Sequence, residues 1–119
     1  MANINESLSQ LAAVEGALCA AIVDSASGML LGSVGTGVDM ELAAAGNTEV
    51  VRAKHKTMQA LGLQDTIDDI LITLGKQYHI IRPLATKEGV FIYLVLDKAR
   101  SNLALARRKV QDVEKLIEF

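Results

Sequence analysis

The sequence predicts an α+β fold, an αββαβββα sandwich with a five-stranded antiparallel sheet in the order 2-1-5-4-3 and helices on both faces. Three observations predict it. Residues 70–74, 78–81 and 90–96 are short runs rich in β-branched and aromatic side chains, punctuated by Gly75 and by Ala85-Thr86-Lys87-Glu88-Gly89, which reads as a meander. Residues 17–23 and 29–34 flank the small, polar Asp24-Ser25-Ala26-Ser27-Gly28, the content of a hairpin loop. Helical periodicity fills residues 40–61 between hairpin and meander. If each hairpin stays together and the last strand inserts beside the first, the third strand lies at an edge.

Residues 2–15 form a short amphipathic helix with Ile4, Leu8, Leu11 and Ala12 on one side, and Gly16 turns the chain into the first strand. Asp39 is placed to cap the helix over 40–61. At about 100° per residue, Leu42, Gly46, Val50, Ala53, Thr57 and Leu61 form a stripe suited to packing on the sheet. A second stripe, about 110° away, holds Met40, Ala44, Asn47, Val51, Lys54 and Met58 and is expected to meet something else. The meander strands are apolar on both faces, so each face needs covering. A final helix over 98–117 carries the apolar line Ala99, Leu103, Ala106, Val110, Val113 and Ile117. The edge segment 70–74 has no lysine or proline to discourage pairing, although Asp68 and Asp69 guard its start. An open edge beside a two-striped helix points to a two-fold dimer, third strands abutting and long helices side by side.

The 119 residues fit one domain, residues 1–119, able to bury roughly 65% of its unfolded surface. With half the residues apolar and a single proline, disorder is excluded as a class. A net charge of −2 gives no broad attraction for nucleic acid. The start lacks a secretory pattern and no apolar run approaches the roughly 20 residues of a membrane helix, so the expected setting is cytoplasmic, without membrane insertion.

The chemistry-bearing residues do not assemble into a reaction centre. The glycines between Gly28 and Gly37 lack the Gly-Lys-Ser/Thr ending of a phosphate loop. His55, His79 and Cys19 are too few and too scattered for a metal site, and no cofactor is expected. His55 reads as a polar helix residue, His79 as a satisfied sheet histidine and Cys19 as a buried small residue. Asp24 and Asp97 read as local turn acceptors, and no serine, histidine and aspartate constellation is visible. Lys98, Arg100, Arg107, Arg108, Lys109 and Lys115 make the last helix basic, read as a solvated face with local ion pairs or a contact for an acidic protein surface.

The pattern resembles the roadblock/LC7 family, particularly its bacterial small-GTPase-regulator type. The resemblance is carried by the stretch from Gly16 to Asp24 followed by Ser27-Gly28, by Ala43-Ala44-Ala45, by Asp69-Ile70-Leu71-Ile72-Thr73-Leu74-Gly75, by the run from Gln77 to Leu84, by Phe91 to Asp97 and by Asn102 to Arg107. It implies a roadblock/LC7-like (profilin-like) domain that homodimerises and regulates or scaffolds a Ras-like small GTPase without a hydrolytic site of its own. Carried onto this chain, it places the pairing edge at Ile70, Leu71, Ile72 and Thr73, and partner contacts at Arg52, His55, Lys56 and Gln59, with Glu49 near the dimer seam. Val51, Lys54 and Met58 of the second stripe join the dimer interface. Arg52, Arg107 or Arg108 could supply a finger-like charge, each read first as a surface arginine. A signalling or motility scaffold with no GTPase partner, and a small-molecule sensor, are the alternatives.

Overall fold

In the computed structural model, which describes residues 2–119, the elements are α1 (Ile4–Ala12), β1 (Ala17–Asp24), β2 (Met29–Gly35), α2 (Met40–Ala60), β3 (Ile70–Thr73), β4 (Gln77–Pro83), β5 (Val90–Asp97) and α3 (Leu103–Leu116). The strands form one antiparallel sheet in the order β2-β1-β5-β4-β3, as the hairpin argument predicts. β5 is central and is buried from Val90 through Leu96.

Local chemistry sets the element ends. Asn3 and Glu6 make a reciprocal capping box at α1, so the helix starts after Ala2. Ala2 instead bridges to Ile117, its N–H donating to the Leu116 carbonyl and its carbonyl accepting from Glu118. Asp24 accepts from the Ala26 N–H and the Ser27 hydroxyl, closing the β1–β2 turn. Asp39 caps α2 by accepting from the Leu42 N–H. The last helix is shorter than expected: Asp97 folds residues 97–100 into a turn, and Asn102 caps α3. Ala99 therefore lies outside the helix and is exposed.

Both sheet faces are covered. Leu8, Leu11, Ile22, Ile80, Leu94 and Val110 belong to the core beneath α1 and α3. Ala21, Val23, Ala44, Val51, Phe91 and Tyr93 form the core beneath α2. Fully burying each large side chain of this kind stabilises the fold by about 1.5–3 kcal/mol.

The structure corrects the orientation of α2. Ala44, Thr48, Val51 and Met58 are its buried residues, whereas Leu42, Val50 and Leu61 are 71%, 37% and 66% exposed. The stripe expected to face the sheet faces outward, and the one expected to face a partner packs inward. The physical reason lies in side-chain size and polarity at the contact. Thr48 is buried because its hydroxyl donates to the Ala44 carbonyl at 2.7 Å, and the line 44, 48, 51, 58 keeps a helical spacing that puts small and medium side chains on the sheet.

Candidate assembly and partner surface

Two unsatisfied features lie on one side of the molecule. β3 is hydrogen-bonded to β4 only, so its other edge presents unpaired backbone groups. Ile70, Leu71 and Ile72 are half-buried and Thr73 is exposed. Beside it, the outward stripe of α2 carries Leu42, Val50 and Leu61, with exposed Gly46 and Ala53 between them. Small residues at such positions let another helix approach closely. An open groove of about 710 Å³ runs between the second half of α2 and the segment leading into β3, lined by Val50, Ala53, Thr57, Leu63, Ile67 and Ile70 among others.

The residues singled out from sequence fall into three groups. Val51 and Met58, expected at a dimer interface, are 5% and 8% exposed, because they are spent on the chain's own core and have little surface to offer. Lys54 lines the groove, and Ile70–Thr73 form the free edge. Glu49, His55, Lys56 and Gln59 are exposed on α2. Arg52 is exposed but engaged: Nη2 donates to the carbonyls of Ser25 and Ala26 at 2.7 and 2.8 Å, tying α2 to the β1–β2 turn. Arg52 and His55 border a notch of about 490 Å³ whose opposite wall includes Arg82 and Glu88. Of the three arginines considered for a finger-like role, Arg52 and Arg107 are held by partners within the chain, whereas Arg108 is in no ion pair among the described residues.

His79 sits in a polar chain under α2. Gln77 Oε1 is 2.9 Å from His79 Nε2, and the Tyr93 hydroxyl is 2.8 Å from Nδ1. A carbonyl oxygen only accepts, so Nε2 carries the proton and Nδ1 accepts from Tyr93. Burial pushes the His79 pKa down from 6.5, keeping the ring neutral. Burial raises the Tyr93 pKa, with the Asn47 side chain pulling it the other way and Cys19 adding to the rise. Cys19, 2% exposed, has its thiol pKa raised by burial, the opposite of an activated nucleophile. Among the described residues no three His, Cys, Asp or Glu side chains come together as a metal site. No helix among them is long and apolar enough to cross a membrane.

Sequence reasoning missed two ion pairs. Arg107 meets Asp69 at 2.7 Å, and Arg82 meets Glu114 at 2.6 Å, with Glu114 also accepting from the Ala85 N–H. The pairs are 38 and 32 residues apart in the chain, a separation that no local pattern links. The available hint was Glu114 itself, next to Val113 on the inward line of the last helix, where a lone carboxylate needs a partner.

These features define an α+β sandwich, a five-stranded antiparallel sheet covered by helices on both faces, with the β3 edge and the outer face of α2 left open: the roadblock/LC7 fold. Solved structures share it. MglB of Myxococcus xanthus superimposes with a TM-score of 0.83 at 18% identity, covering 94% of this chain and 82% of that one. A roadblock/LC7 domain from Streptomyces avermitilis gives 0.82 at 12% identity, covering 96% and 93%. The gliding protein MglB of Thermus thermophilus gives 0.79 at 15% identity, covering 93% and 82%. No protein-family profile and no curated protein sequence matches the chain.

Proposed function

We propose that residues 1–119 act as one roadblock/LC7-like domain, a non-enzymatic homodimeric adaptor or regulator that binds a Ras-like small GTPase and influences its nucleotide state. The observation that carries the reading is the outward apolar stripe of α2 lying beside the unpaired edge of β3. Antiparallel pairing of two β3 edges would satisfy the open backbone groups and join two five-stranded sheets into one. The same two-fold axis would bring the α2 helices together through Gly46, Val50 and Ala53. Glu49 and Lys56 then stand beside the helix seam, with Gln59 and His55 further round α2, His55 at the notch it borders with Arg52, and a GTPase could dock across this surface. The chain offers no hydrolytic machinery in this reading, so an effect on hydrolysis comes from holding the GTPase's switch segments in a competent arrangement.

Solution mass tests the assembly, and a dimer that Leu71→Lys leaves unchanged would overturn the edge pairing. Pull-down with GDP-loaded and GTP-loaded small GTPases of the same cell, followed by hydrolysis rates, tests the partner; preference for one nucleotide state is the expected result. The likeness to a gliding protein favours a second reading, a motility scaffold without a GTPase, which predicts an intact dimer that binds neither state.

A further inference from the structure

Two arginines grip the residues that lead into β3. Arg107 of α3 donates from Nε and Nη2 to the two carboxylate oxygens of Asp69, at 2.9 and 2.7 Å. Arg82 of β4 donates from Nη1 to the Asp68 carbonyl at 3.2 Å and from Nε to Glu114 at 2.6 Å. Glu114 lies about two turns beyond Arg107 on α3, so both project from the same side of that helix. One charged line on α3 thus reaches consecutive residues at the start of the edge strand, directly through Arg107 and indirectly through Arg82.

β3 needs such support. It has four residues, is paired on one side only, and follows residues 61–69, which form neither helix nor strand and are mostly exposed. Short edge strands with few buried contacts open locally at low free energy. The Asp69 side chain is 9% exposed, so its bidentate partner both neutralises a nearly buried carboxylate and fixes its direction.

We infer that Arg107 is a positioning residue for assembly: through Asp69 it holds β3 in the extended register that a second copy pairs with. The inference rests on the homodimer reading and names the device that makes its edge competent. Each dimer needs two ordered edges, so the competent fraction enters the affinity twice, and a threefold fall in that fraction weakens dimerisation about tenfold.

The test compares wild type, Arg107→Gln, Asp69→Asn, their double variant, and the exchange Asp69→Arg with Arg107→Asp. The readouts are dimer dissociation constant at low and high salt, thermal midpoint of the dilute monomer, and amide hydrogen exchange across residues 70–73. In Arg107→Gln, the dissociation constant is expected to rise about tenfold with faster exchange at the edge, and in the double variant, which leaves no carboxylate unpaired, the same rise is expected while the monomer midpoint changes little. The double variant should be no worse than the single ones, because both remove the same interaction. The exchanged pair should recover part of the affinity. Salt should weaken the wild-type dimer more than the Arg107→Gln dimer, since Arg107 is 42% exposed and its pair is screened. A dimeric wild type whose affinity Arg107→Gln leaves unchanged overturns this inference alone. Loss of affinity matched by loss of monomer stability, without recovery on exchange, also overturns it. A wild type that stays monomeric overturns the homodimer reading and this inference with it.

Discussion

Val50 and Val51 are neighbours in sequence whose substitutions should have opposite consequences, because about 100° of helical rotation separates them. Val51 is 5% exposed and packs in the core with Phe91 and Tyr93; Val50 is 37% exposed on the outward stripe. Val51→Ala removes buried methyl groups and leaves a void, a loss of about 2 kcal/mol. With an unfolding entropy of roughly 2.1 cal/mol/K per residue, that lowers the thermal midpoint of this chain by about 8 °C. Val51→Asp adds an unpaired buried carboxylate at several kcal/mol, bringing the total to about 5 kcal/mol or more, comparable to the whole stability of a domain. It should not fold stably. Val50→Ala should stay within about 0.5 kcal/mol, or about 2 °C, when measured on dilute monomer. Val50→Asp should leave the monomer equally intact while, under the proposed dimer, weakening self-association at least about tenfold, because it would place like charges in the proposed helix seam. Circular dichroism melts at low concentration and sedimentation velocity over a concentration series read the two effects separately. The reasoning is refuted if Val50→Ala costs the monomer as much as Val51→Ala, or if Val50→Asp leaves a dimer at wild-type affinity.

Three further outcomes are expected. Glu114→Ala should lower the urea-derived stability by about 3–5 kcal/mol, since it strands Arg82 and the Ala85 N–H, and Glu114→Gln should lose somewhat less, because its one amide oxygen still accepts from one of the two while its NH2 cannot accept from the other. His79 binds a proton less readily folded than unfolded, so its contribution is complete above pH 6.5 and declines as pH falls through 6.5 toward the lower folded value. Melting midpoints from pH 7.5 down to about 5.5 should show that slope in wild type and a shallower one in His79→Gln. Gly35→Ala should destabilise strongly, with no compensating relaxation, because Gly35 has φ +88° and an added Cβ would lie 2.3 Å from the Leu18 carbonyl oxygen. A thermal midpoint within a few degrees of wild type would contradict that account.

Much of the fold was legible because it is written in local signals. The strands are compact runs of Ile, Val, Leu, Phe and Tyr, the turn at Asp24 to Gly28 has its own acceptors, and Asp39 and the residues after it announce a helix start. Strand order followed from short connections and a single insertion. The burial of Cys19 and the satisfied state of His79 also followed from their apolar neighbours. The candidate surface was only half legible. The two stripes of α2 were visible as stripes, but Leu42, Val50 and Leu61 looked like the inward one because they are the more apolar.

The sequence by itself determined the element order, the sheet topology and the existence of an α2 with two apolar sides, all consequences of period, caps and turn chemistry. Tertiary structure alone decided which side of α2 faces the sheet, that Arg52 is tied to the β1–β2 turn, and that Asp69 and Glu114 find Arg107 and Arg82. Those outcomes depend on how a rigid helix rotates to fit a particular sheet and on ion pairs between residues distant in the chain, and both are set by packing in three dimensions.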